Sequence, residues 1–322
     1  MNNFWTGLKK PLFVLAPMAD VTDVAFRGVI AKYGKPDVMW TEFVAADGLY
    51  ATREKVGMKD VDNPLMQQLL FNKGEAPIVA QLFSSNPENM EYAAKLCKEL
   101  GFDGIDINMG CPDRSIEKQG AGASHMKDPE NAKKVIQAAK KSGLPVSVKT
   151  RIGYNRNEID TWIPELLSCD LACLTVHLRT RKEMSKVAAH WELMPSIVAL
   201  RDTLAPNTIL LGNGDVESLE DGDIKTQESG CDGVMIGRGI FGNPWFFDRD
   251  KKEVSKEEKL SVMLEHTKLY TELLPNKNFS IMKKHYKAYV NGFEGAAELR
   301  GKLFETKSVE EVEKILIDEG VL

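Results

Sequence analysis

The segment PIVAQLFSSNPENMEYAAKLCKELGFDGIDINMGCP (77–112) carries the repeating unit of the fold. It opens on an apolar run, PIVAQLF (77–83), and reaches a second at DGIDIN (103–108). The stretch between them, PENMEYAAKLCKELG, begins with an acidic turn, places its lysines late and stops on glycine. That is the order of charges and the stop signal a helix favours. Strand, helix, strand is the unit from which parallel sheets are built.

The same alternation runs outward in both directions. Before it lie LFVLA (12–16) and DVMWTE (37–42); after it come PVSVKT (145–150), ACLTVH (172–177), TILLGN (208–213) and DGVMIG (232–237). DPENAKKVIQAAKKSG repeats the helical charge order. Eight apolar runs alternating with helical stretches predict an α/β chain folded as a TIM (β/α)8 barrel. An open doubly wound sheet is the alternative, disfavoured because no GxGxxG follows the first strand. The runs are nearly continuous in apolar residues, as suits a sheet covered by helices. The barrel is expected to end near PWFF (244–247), giving a first unit of 1–247. DRDKKEVSKEEK (248–259) reads as a charged linker, and residues 248–322 as a small all-helical domain.

Composition narrows the function classes. No apolar run approaches the roughly 20 residues that span a bilayer. Two lysines followed by a short apolar run near the start do not make a signal peptide. A cytoplasmic protein is expected. Cys97, Cys169, Cys173 and Cys231 read as small buried hydrophobes, and no second pair or histidine cluster completes a metal site beside Cys169 and Cys173. The net charge of −5 argues against nucleic-acid binding by a bulk field. A local basic face remains: residues 277–302 hold Lys277, Lys283, Lys284, Lys287, Arg300 and Lys302 against Glu294 and Glu298, with His285 beside them.

In such a barrel functional groups come from the C-terminal ends of the strands. Pro17-Met18-Ala19 follow the first run, Thr41-Glu42 end the second, and Gln81 lies in the third. Asn108 to Pro112 end the fourth; then come Lys149 and Arg151, His177 and Arg179, Asn213-Gly214-Asp215, and Gly237-Arg238. Glycine turns after strands seven and eight are a common phosphate site, through backbone N–H groups and a helix N-terminus. Arg238 adds a charge-assisted donor. One phosphate and no P-loop suit FMN, and Lys149 would then stabilise a reduced, anionic ring. Cys111 stands between Gly110 and Pro112, which hold it at the rim, and a thiol is mostly protonated at neutral pH. It is the candidate general acid.

These residues resemble a known family. DINMGCP (106–112), followed by Lys118-Gln119-Gly120-Ala121-Gly122-Ala123, is similar to the tRNA-dihydrouridine synthases, as are APMADVTDVAFR (16–27), TEF (41–43) and VKTR (148–151). TVHLRT (175–180), NGD (213–215), MIGRGIFGNPWFF (235–247) and KKHYKAYV (283–290) extend the likeness over nearly the whole chain. The resemblance implies flavin-dependent reduction of the C5–C6 bond of uridines in tRNA, with bound FMN and NADPH or NADH as reductant. By it, Pro17, Met18, Ala19 and Gln81 border the flavin ring, and Lys149 and His177 contact the ring or its ribityl chain. Asn213, Gly214, Asp215, Gly237 and Arg238 would hold the chain and phosphate. Asn108, Arg151 and Arg179 would face the uracil, Cys111 would protonate C5, and Lys283, Lys284 and His285 would meet RNA. A monomer is expected. Asp20 stands where the family usually has glycine, Ala25 where proline is common, Ser84 and Ser85 where glycine is usual, and His125-Met126 in place of leucines. The rivals are a free-pyrimidine dehydrogenase of the dihydroorotate or dihydropyrimidine type, against which the helical extension argues, a synthase acting on ribosomal RNA, a flavin-bearing RNA-binding factor without turnover, against which Cys111 and Lys149 speak, and a sugar-phosphate barrel enzyme without flavin.

Overall fold

A computed structural model describes residues 3–321. Its strands are β1 (Leu12–Leu15), β2 (Met39–Ala45), β3 (Ile78–Phe83), β4 (Gly104–Met109), β5 (Val146–Arg151), β6 (Cys173–His177), β7 (Ile209–Asn213) and β8 (Gly233–Ile236). All pair in parallel, in the order β1-β8-β7-β6-β5-β4-β3-β2. The two ends of that order meet. Val14 bridges Val38, the Leu15 N–H donates to the Val38 carbonyl at 3.1 Å, and the Asp37 N–H donates to that of Phe13 at 2.9 Å. The sheet therefore closes as a barrel, and closure leaves no unpaired edge.

Alternation along the strands separates two cores. Leu12 and Val14 join Trp40, Val79, Cys173, Leu211 and Met235 in one buried cluster, which Trp5 completes. Phe13 and Leu15 join Phe26 and Ile30 of the Val24–Tyr33 helix in another. The helices start and stop as their sequences ask. Asn86 caps Pro87–Leu100 by accepting from the Glu88 and Asn89 N–H groups, and Gly101 ends that helix at φ +92°. β2 runs beyond the expected Glu42 to Ala45, across a register shift between Trp40 and Phe43. No helix among the described residues is long and apolar enough to cross a membrane.

The expected linker is partly helix: Ser255 caps Lys256–Leu273 through the Glu258 N–H. Met282–Tyr289, Ala296–Glu305 and Val309–Asp318 follow. Their core, with Leu260, Met263, Tyr286, Leu303 and Leu316, takes in Val24, Ala25 and Val29 from the first barrel helix. That helix is sandwiched, with Ile30 turned to the strands, Ala25 and Val29 to the helical region, and Phe26 packed against both.

His285, expected at the RNA surface, is a core residue. In Met282–Tyr289 the helical spacing puts Met282, His285, Tyr286 and Tyr289 on one buried face. Lys283, Lys284 and Lys287 fall on the other side. His285 and His266 are 1% and 0% exposed, their rings lie 4.6 Å apart, and neither ring nitrogen of either has a hydrogen-bond partner among the described residues. Burial pushes His266 down to about 3 and His285 well below the usual imidazole value. Both are neutral when folded and titrate near 6.5 when unfolded, so the unfolded chain binds more protons below that pH. Each histidine then weakens folding as pH falls, by about 1.4 kcal/mol per unit. Buried Asp23 and Asp106, both raised to about 6, act in the opposite sense between pH 6 and the unfolded carboxylate range. The readout is therefore a difference. His266→Leu is expected to tolerate pH 7 and to gain stability over the native chain as pH drops from 6.5 to 5, measured by urea midpoints; parallel profiles would contradict the neutral buried pair.

Candidate active site

Strand register brings the polar residues together at the C-terminal rim. Asn108 aligns with Lys149, Arg151 with His177, His177 with Asn213, and Asn213 with Met235. A 640 Å³ cavity opens there, lined by Pro17, Met18, Lys149, Arg151, His177, Arg179, Asn213, Gly214, Asp215, Gly237 and Arg238. A smaller one of 130 Å³ is lined by Gln81, Asn108, Cys111 and Phe43, and shares Pro17, Pro112, Lys149 and Arg151 with the first. The two are parts of one basin. Ala19 lines neither and is exposed.

The thiol turn is held by a polar chain with defined polarity. Asn108 Oδ1 accepts the N–H groups of Gly110 (3.2 Å) and Cys111 (2.9 Å). Its Nδ2 donates to Gln81 Oε1 at 3.1 Å, and Gln81 Nε2 donates to Asp106 at 2.6 Å. Backbone donors at one end and a carboxylate at the other leave each amide a single consistent orientation. Ser147 Oγ also donates to Asp106, at 2.6 Å. Burial raises the Cys111 thiol above its usual value, offset in part by the Asp113 N–H and by the charges of Arg151 and Lys149. The thiol is thus a proton carrier at neutral pH.

Cations dominate the larger cavity. Burial, with Arg151 beside it, lowers Lys149 to about 8, and burial lowers Arg151 to about 10. Arg151 is pinned on carbonyls, donating to Gly110 at 2.8 Å, Thr180 at 3.2 Å and Met184 at 3.0 Å. Burial and the neighbouring cations hold His177 well below the usual imidazole value. Arg179 Nη1 lies 3.0 Å from His177 Nε2; an arginine only donates, so that nitrogen accepts.

Arg179 and Asp215 both line the large cavity and pair with each other. Arg179 is 2% exposed and committed to Asp215, to His177 and to the Val187 carbonyl at 2.7 Å. The Asp215 carboxylate also accepts from Arg238 at 3.0 Å, and the Arg179 bond holds it below the usual range. Asp215 therefore orients two arginines, and its charge would repel a phosphate. The anion donors here are Arg238, whose side chain is 66% exposed, and the backbone of the turn. Gly214 is required in that turn: at φ +124° an added Cβ would stand 2.8 Å from Ala189 and 3.3 Å from His177.

The basic helical face is narrower than its sequence. Lys277 pairs with Glu42, Arg300 donates to the Val290 carbonyl and Lys302 pairs with Glu298 and Glu319. Lys283, Lys284 and Lys287 carry no ion pair among the described residues. Met184 and Ser185, on the loop after β6, line the large cavity with no sequence signal. Asp106 did leave one, as an acid inside an apolar strand.

A model of the dihydrouridine synthase family matches residues 14–321. The "Probable tRNA-dihydrouridine synthase 2" of Bacillus subtilis (strain 168) is 44% identical over 320 residues, covering 98% of this chain and 96% of the relative. A "Probable tRNA-dihydrouridine synthase" of Staphylococcus epidermidis is 42% identical over 318 residues, covering 98% and 95%. Among solved structures, a 2-naphthoyl-CoA reductase superposes with a TM-score of 0.55 at 10% identity, over 74% of this chain and 49% of that one. Histamine dehydrogenase from Rhizobium sp. 4-9 gives 0.51 at 13%, over 80% and 48%. Those two likenesses concern the fold alone.

The protonated thiol is testable directly. Alkylation of Cys111 by iodoacetamide is expected to rise with pH through a midpoint above the ordinary thiol value of about 8.5. Lys149→Met should move it higher. A midpoint below the ordinary value would overturn the assignment of Cys111 as an acid.

Proposed function

The chain belongs to the dihydrouridine synthase family, and we propose that it reduces the C5–C6 bond of uridine in tRNA using bound FMN, with Cys111 giving the proton. The observation that carries this reading is one basin with a pinned, protonated thiol at one end and the Asn213–Asp215 and Gly237–Arg238 turns at the other. The residues fit FMN. The basin's 640 Å³ lies within the range of cofactor sites, and the turns with Arg238 suit a single phosphate. Pro17, Met18 and Gln81 would border the ring, with Lys149 and His177 beside it.

When bound, the flavin supplies a hydride to uracil C6. The electron pair of the double bond then shifts toward C5 and the C4 carbonyl, where Lys149 and Arg151 stabilise the growing negative charge. Cys111 Sγ–H gives its proton to C5, and the same two cations favour the thiolate left behind. Asn108 keeps the thiol turn in place. NADPH or NADH is the reductant of the resting enzyme.

A uridine in folded tRNA must leave its stack to enter such a basin. Residues 1–247 would do the chemistry, and 248–322 would grip RNA through Lys283, Lys284 and Lys287. The protein would work in the cytoplasm, where its substrate is made.

Purified protein with FMN and NADPH is expected to form dihydrouridine in unmodified tRNA and to leave free uracil untouched. Turnover of uracil with none on tRNA would replace this reading by that of a free-pyrimidine dehydrogenase, and activity confined to ribosomal RNA would change the substrate. Cys111→Ala should keep the flavin absorbance and lose about 10²-fold or more of turnover. Lys283→Ala with Lys287→Ala should weaken tRNA binding and flatten its salt dependence by about one unit of slope per lysine, read from filter binding across a salt series.

A further inference from the structure

Glu42 is buried in β2 and lines neither part of the basin. Its side chain is 2% exposed and accepts two hydrogen bonds, from the Asp20 backbone N–H at 2.5 Å and from Lys277 Nζ at 2.9 Å. Asp20 comes directly after the turn whose Pro17 and Met18 line the large cavity, and it stands at φ +52°. A side chain other than glycine stays in that conformation when its surroundings enforce it. Lys277 arrives from the far end of the chain, between the Lys256–Leu273 and Met282–Tyr289 helices. Its side chain is 14% exposed, which removes it from the RNA-facing set.

The charges at this junction are unbalanced in favour of acids. Asp23 is 2% exposed; its Oδ1 caps the first barrel helix and its Oδ2 has no partner among the described residues. Burial raises Asp23, Glu42 adds to that, and Lys277 opposes it. Without Lys277, Glu42 would be a buried carboxylate facing another acid with its counter-charge gone, and its side chain would turn toward water. That change disturbs the bond that holds Asp20.

We propose that Glu42 and Lys277 form a latch that holds the 17–23 loop in its flavin-accepting shape and ties that shape to the seating of the helical region, with Lys277 a positioning residue and not an RNA contact. The flavin part rests on the proposed function; the loop's shape is open to measurement without any ligand.

The test uses the full chain as Lys277→Met, Glu42→Gln and the double variant. It follows hydrogen–deuterium exchange over residues 17–23 without flavin, FMN affinity by fluorescence quenching, and tRNA affinity at saturating FMN. Lys277→Met is expected to speed exchange in the loop and to weaken FMN binding about tenfold. The double variant should return to within about threefold of native, because glutamine still accepts the Asp20 N–H and position 42 no longer carries a buried charge without its partner. tRNA affinity should stay native throughout. Two side chains acting independently of each other would make the two losses add in the double variant. That additivity would overturn the latch, as would native exchange and FMN binding in Lys277→Met, or a loss of tRNA affinity there with FMN binding intact. If Lys277→Met does not fold, the double variant carries the same readouts, and a disordered loop or lost FMN binding in it is the overturning result. A native chain that takes up no FMN would sink the proposed function alone, while the exchange measurements still judge the latch.

Discussion

Everything at the rim depends on the closure of β1 onto β2. Two backbone hydrogen bonds around Val14 and Val38 convert a parallel sheet into a ring. In a ring of parallel strands all C-terminal ends point one way, so side chains from β5, β6, β7 and β8 and from the turn after β1 are forced into one basin. The apolar interior of the barrel, from Trp5 to Met235, places the basin's charges over a low-dielectric floor.

Charges gathered in this way repel one another, and the site is built to live with that. Arg151 is spread over backbone carbonyls, and Arg179 and Arg238 share the carboxylate of Asp215. Lys149 has no such partner among the described residues, and burial with Arg151 beside it lowers its affinity for its proton. The thiol of Cys111 is governed by the opposite tendency: burial keeps it protonated, while the cations nearby favour it as a thiolate once the proton has left. An acid that holds its proton until charge develops elsewhere suits the role proposed for it in saturating a polarised double bond.

The helical region is joined to the barrel by shared packing more than by a linker. One helix, Val24–Tyr33, serves two cores, and Phe26 reaches the buried histidine pair, its ring 5.4 Å from His266 and 5.1 Å from His285. The unusual residues of this chain also settle into mutual arrangements. His125 is buried and its Nε2 lies 3.1 Å from the carbonyl of Ser84. Asp20 keeps a left-handed backbone that an aspartate tolerates better than most side chains.

Much of this was legible in the chain itself, because periodicity and local chemistry are properties of neighbours in sequence. The eight apolar runs, the caps such as Asn86, the glycine turns after β7 and β8 and the thiol between Gly110 and Pro112 all act over a few residues. Side-chain destinations are a different matter, since they depend on which distant group arrives opposite. KKHY reads as a basic patch, but its histidine faces Phe26. Lys277 reads as an RNA contact until Glu42, 235 positions away, takes it. Asp215 reads as part of a phosphate cradle until two arginines close on its carboxylate. A charge is visible in sequence, whereas its partner is chosen by closure of the barrel and docking of the helices, and the partner sets what the charge can do.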